Sequence, residues 1–170
     1  MNWWIEVSKL VVTAIITLSA IYIRVWVVKR NELKYAKKNL KKILTEEMVD
    51  NNNAYSKFGQ LLYSLKHKNK VVYINLKIPA ILIECLKIMS KLDCKNATEY
   101  YNYQAFIEIV LDDHRNLVIL LNQAASINNI KNKIPENMIN AVESQVYSLK
   151  ENLKAKLEFE KKLMDILIND

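Results

Sequence analysis

Residues 10–28 read "LVVTAIITLSAIYIRVWVV". Whether lipid or protein surrounds them decides the fold. From Leu10 to Ile23 there is no charge, and the small polar residues are Thr13, Thr17 and Ser19. As a helix these 19 residues would extend roughly 28 Å, about one hydrocarbon thickness. A buried helix of a soluble bundle normally shows a polar face, and this run has none. Arg24 interrupts the run about 6 Å from its end, within reach of the headgroups for a snorkelling arginine. Trp3 and Trp4 at one end, with Tyr22 and Trp26 at the other, suit the two interfacial belts. The pattern predicts a transmembrane helix within residues 1–28.

A cleaved signal peptide fits less well. The opening "MNWWIEVSK" is nearly neutral, and basic residues follow the run instead of preceding it. Before the run stands Lys9, offset by Glu6. After it come Lys29, Arg30, Lys34, Lys37, Lys38, Lys41 and Lys42 against Glu32. The positive-inside rule then places the C-terminal side in the cytoplasm and the N-terminus outside, in the inner (cytoplasmic) membrane.

Residues 24–70 hold 12 basic and 4 acidic residues, more than the whole chain's net charge of +7, whereas residues 135–170 hold 5 basic and 7 acidic. A basic flank beside a membrane points to anionic lipid headgroups as a partner, at about 1 kcal/mol per close Lys or Arg. Trp3, Trp4, Tyr22, Arg24, Trp26, Lys29, Arg30, Lys34, Lys37 and Lys38 are the candidate lipid contacts. "KHKNKVVY" (66–73) mixes basic and aromatic residues, but no recognition motif surrounds it. Nucleic acid is the weaker partner.

The rest of the chain reads as helix. One glycine and two prolines among 170 residues are too few for the tight turns of a sheet protein. A 51% hydrophobic composition is enough for a packed core. The expected fold class is all-α: the span, a basic amphipathic stalk at 29–50, and a cytoplasmic bundle of about four helices at 51–170. In the stalk Leu33, Ala36, Leu40, Ile43 and Leu44 share a face. "DNNNAY" (50–55) reads as a break, because asparagine favours caps and turns.

"VVYINL" (71–76) is strand-like but has no partner strand in the sequence, so it is expected to be a connector. Pro79 opens the helix "PAILIECLKIMSKL", with Ile81, Leu82, Cys85, Leu86 and Met89 on one face. Asn96 and Glu99 have capping-box spacing. They precede a helix whose stripe is Tyr103, Ile107, Val110, His114, Leu117, Leu121 and Ala124. "SINNIKNKI" (126–134) reads as a loop, and Pro135 suits the start of a last helix. There Val142, Val146, Leu149, Leu153, Leu157, Met164 and Leu167 form a narrow seam. Such a seam suits antiparallel bundle packing or a coiled coil with a second copy.

Motifs that carry chemistry are largely absent from the sequence. A single glycine, Gly59, rules out phosphate-cradling glycine loops. No His-Glu-x-x-His, Glu-x-x-His or Gly-x-Ser-x-Gly occurs. Cys85 and Cys94 have no nearby histidine or Cys-x-x-Cys spacing, so no metal site is expected. "EIVLDDHRN" (108–116) is the one concentration of reactive groups: Glu108, Asp112, His114 and Arg115 could serve acid–base or nuclease-like work. Arg115-Asn116 begins like the Arg-polar-x-x-x-His signature of HEPN ribonucleases, but Ile119, Leu120 and Leu121 follow and the histidine is missing. No cofactor is expected and no small-molecule substrate is evident.

Tyr100, Tyr101 and Tyr103, with Leu149, Leu153 and Leu157, are the candidate partner interface, since tyrosine is enriched at interfaces. The expected function is non-enzymatic: a single-pass membrane protein whose cytoplasmic bundle binds a partner protein or self-associates. Its layout is that of an effector, immunity or scaffold component of a bacterial or phage system, such as anti-phage defence or a toxin system. The lysine, asparagine and isoleucine bias fits an AT-rich source of that kind. The alternatives are a membrane-tethered helical enzyme using Glu108, Asp112, His114 and Arg115, or a basic nucleic-acid binder.

Overall fold

The computed structural model describes residues 3–169, and these form four α-helices: α1 (Trp3–Lys68), α2 (Ala80–Leu92), α3 (Ala97–Lys131) and α4 (Glu136–Asn169). No strand occurs among the described residues. Helix α1 has 66 residues and is roughly 100 Å long. Its first half stands alone, and its second half is one leg of a four-helix bundle. Neighbouring helices pack in the cyclic order α1–α2–α3–α4–α1, the up-and-down arrangement that short links favour. Residues 69–79 run back along α1 without regular structure, so "VVYINL" is the connector expected of it.

The core has two apolar layers. One joins Ala36, Leu40 and Leu44 of α1 to Leu82 and Leu86 of α2, Tyr103 and Ile107 of α3, and Leu163 and Leu167 of α4. The other joins Phe58, Leu61 and Leu65 of α1 to Leu117 and Leu121 of α3 and Val146 and Leu149 of α4. The amphipathic segment at 29–50 therefore helps to build the core.

With one glycine in the chain, asparagine takes the left-handed positions that end helices. Asn69 (φ 49°) follows α1, and Asn132 (φ 52°) follows α3. Asn132 N–H donates to Asn128 O at 2.8 Å. Asparagine tolerates this conformation because its short polar side chain bonds locally.

Several local expectations are corrected. Helix α1 passes through 50–55 unbroken. Asparagine disfavours helix only weakly, and burial of Leu44 before the stretch, Ala54 within it and Phe58 after it outweighs that cost. Helix α3 continues to Lys131, not to a loop at 126, and Asn128 Nδ2 donates to Asn69 O at 2.7 Å. That bond takes the asparagine amide away from its own backbone. The capping box at Asn96 does not form. Asn96 Nδ2 donates to Asp93 Oδ2, and Lys162 draws off Glu99 at 2.8 Å. Ile81 faces outward.

The seam of α4 keeps its alternating three- and four-residue steps through Leu149, Leu153, Lys156, Glu160, Leu163 and Leu167, all buried. Leu157 and Met164 are therefore only half-buried, and two charged residues stand where the sequence reading placed apolar ones. The seam packs against α3 and α1 of the same chain, as antiparallel bundle packing requires.

Candidate functional site

One helix, α1, is long and apolar enough to cross a membrane, and none of the residues in its apolar window is buried. Trp3, Trp4, Tyr22 and Trp26 are all exposed. Arg24, Lys29, Arg30, Lys34, Lys37 and Lys38 share the same helix, with Arg24 exposed inside the run. Thr13 and Thr17 donate their hydroxyls to the carbonyls of Lys9 and Thr13. This removes the polarity that those groups would otherwise carry into an apolar solvent. The Arg30 guanidinium lies 5.0 Å from the centre of the Trp26 ring, a cation–π pair at the end of the run.

The residues of the 108–116 cluster go separate ways. Asp112 pairs with Arg115 on the surface, and Glu108 is exposed. His114 Nε2 lies 2.7 Å from Ile74 O, so it holds the connector against α3. Asp113, part of the cluster but not one of the four candidates, is the most heavily bonded of the group. It accepts from Ser148 Oγ at 3.0 Å, from Asn152 Nδ2 at 2.6 Å, and from Gln145, locking α3 to α4. Glu108, Asp112 and Arg115 stay on the exposed side of α3, whereas His114 is turned to the connector. No group of three or more metal-ligating side chains occurs among the described residues.

Of the candidate interface residues, Tyr100, Tyr103, Leu149 and Leu153 are buried in the core, which removes them from any docking surface. Tyr100 donates to Asp93 Oδ2 at 2.9 Å. Tyr101 is exposed and Leu157 half-exposed.

Between the two apolar layers lies a buried polar layer. Lys156, 1% exposed, donates to Glu47 Oε2 at 2.8 Å and to Glu160 Oε1 at 2.7 Å. The hydroxyl of Tyr103 donates to Glu160 Oε1 at 2.8 Å. Two carboxylates share one ammonium. Burial pushes the Glu47 carboxyl above its ordinary range, and the neighbouring Glu160 and Asp50 add to this, while Lys156 opposes it. Burial and the charge of Glu160 hold the Tyr103 phenol well above its usual value.

This layer borders a cavity of about 300 Å³. One wall is α1, which there presents Glu47, Asp50, Asn53 and Lys57; the other is the connector with Asn75 and Lys77. Val110 and Leu153 lie beneath. The cavity exists because the α1 seam turns polar between Leu44 and Phe58, and the connector beside it is too thin to fill the gap. The "DNNNAY" stretch carries that signal in the sequence, as a lapse in core residues and not as a break in the helix. Lys156 and Glu160 were legible only as seam positions occupied by the wrong residue type.

Comparison with protein-family models, with curated proteins and with solved structures finds no match to this chain.

Proposed function

We propose that this protein is a single-pass membrane-anchored, non-enzymatic helical protein whose bundle works in the cytoplasm by binding a partner protein or further copies of itself. One observation supports this best: the apolar half of α1 is wholly unburied, while the other half of the same helix is built into the bundle core. An exposed apolar surface of that length marks an interaction site, and lipid is the solvent that suits it. The lysine-rich flank favours the anionic inner leaflet. Because α1 is continuous, the bundle is held on the anchor by helix, not by a flexible linker. The layout suits an effector, immunity or scaffold component of a bacterial or phage system.

The test is fractionation of cells expressing the full chain. The protein should sediment with membranes, resist alkaline carbonate and leave only with detergent. Purification in mild detergent, followed by native mass spectrometry, should then show a second chain or more than one copy. A monodisperse monomer in detergent-free supernatant would sink the reading.

A further inference from the structure

The cavity beside the buried polar layer has a wall chemistry that selects its contents. Its α1 side carries Asp50 one turn from Glu47, and Lys57 two turns further on; Lys77 faces them from the connector. Lys156 is committed to Glu47 and Glu160. Among the described residues Asp50, Lys57 and Lys77 join no salt bridge, although both signs of charge line the same small space.

Each class of occupant can be weighed on that basis. A simple anion would meet the lysines but also Asp50 and Glu47. A simple cation would meet those carboxylates but also Lys57 and Lys77. An apolar molecule would strip water from all of these charges and return nothing, which is costly. A molecule with one ammonium and one carboxylate pairs with both. The volume, about 300 Å³, is at the lower limit of known ligand pockets, so the occupant is smaller than a drug-sized molecule. Asn53 and Asn75 supply neutral donors and acceptors at the rim.

We propose that the cavity between α1 and the 74–78 connector binds a small amino-acid zwitterion, its ammonium toward Asp50 and Glu47 and its carboxylate toward Lys57 and Lys77. The inference goes beyond the membrane-anchor reading and does not depend on it.

The experiment uses the purified full chain in mild detergent. Thermal unfolding is followed with each of the common α-amino acids and with glycine, β-alanine, γ-aminobutyrate and ε-aminocaproate. A ligand that binds only the folded protein raises the melting temperature, and the rise continues logarithmically with ligand concentration above the dissociation constant. The expected result is that at least one zwitterion raises it, and that its N-acetyl and methyl-ester forms, each lacking one charge, do not. Asp50→Asn and Lys57→Met should each weaken that binding by about tenfold or more. Both residues are exposed, so both variants should fold, and the shift each ligand causes is read against the same variant's own unliganded melting temperature. The proposal is overturned if no zwitterion shifts the transition, if the singly charged forms act equally well, or if both variants bind as the wild type does.

Discussion

The ammonium of Lys156 on α4 lies 2.8 Å from Glu47 Oε2 on α1, joining residues 109 apart in the sequence. It also holds Glu160, one turn further along α4, at 2.7 Å. Glu47 belongs to the helix that carries the apolar N-terminal run. Helix α1 and the last helix are thus tied by a buried ion pair, between two layers of apolar packing.

Removing Lys156 alone should be costly, because two buried carboxylates then lose the cation they share. Lys156→Ala is expected to destabilise the full chain by about 3–5 kcal/mol, read from urea unfolding in mild detergent. Replacing the set together (Glu47→Leu, Lys156→Met, Glu160→Leu and Tyr103→Phe) should be neutral, or stabilising by up to about 4 kcal/mol. A single variant as stable as the wild type would show that the pair is not buried as described.

Glu47 gives a pH signature. Its folded carboxyl titrates above the ordinary value of 4.5, so the folded state holds its proton more tightly than the unfolded state. That contribution to stability is complete below the unfolded pKa and is lost as pH rises through the folded one. Glu47→Gln should remove this loss. The melting temperature of the variant minus that of the wild type should therefore climb as pH rises from 4.5. A flat difference across that window would contradict the burial of the charge.

The two cysteines should react very differently. Cys85 is buried, and burial raises its thiol pKa, whereas Cys94 is exposed. A maleimide should label Cys94 quickly in the folded protein, and Cys85 only on unfolding. Cys94 also reports topology without engineering. On intact cells a membrane-impermeant maleimide should leave it unlabelled, and permeabilisation should expose it. Labelling of intact cells would place the bundle on the outer side.

Two adjacent aspartates should differ in weight. Asp113 accepts from three side chains of α4, whereas Asp112 pairs only with Arg115 on the surface. Asp113→Ala leaves those donors without their acceptor and should cost about 1–3 kcal/mol. Asp112→Ala should stay within about 0.5 kcal/mol of the wild type.

Position along the apolar run should set the tolerance for charge. Leu18→Arg puts a cation near the middle of the apolar run, where it should oppose membrane insertion by about 2.5–3.5 kcal/mol. Arg24→Leu removes a charge from near its end. The carbonate-resistant fraction should fall for Leu18→Arg and hold or rise for Arg24→Leu. Equal fractions would mean that lipid does not surround this stretch.

The helical class, the apolar run, the connector at 71–76 and the stripe from Tyr103 to Ala124 could all be read in advance, because each is a local property. Scarce glycine and proline leave no route to a sheet, and an amphipathic stripe shows which face a helix buries. Local pattern misleads wherever a distant residue changes the local balance. At 50–55 and 126–131, packing against other elements kept asparagine-rich stretches helical. Glu99 looked like a capping residue until Lys162 was placed beside it.

By itself the sequence determined that the chain is helical, and that one stretch has no polar face with which to meet water. The tertiary structure decided which charges are buried. Lys156 and Glu160 follow an ordinary helical spacing, and only the arrival of Glu47 and Tyr103 from other helices makes their burial affordable. A local pattern can show where a side chain points, but the cost of burying a charge depends on partners that only folding brings within hydrogen-bonding distance.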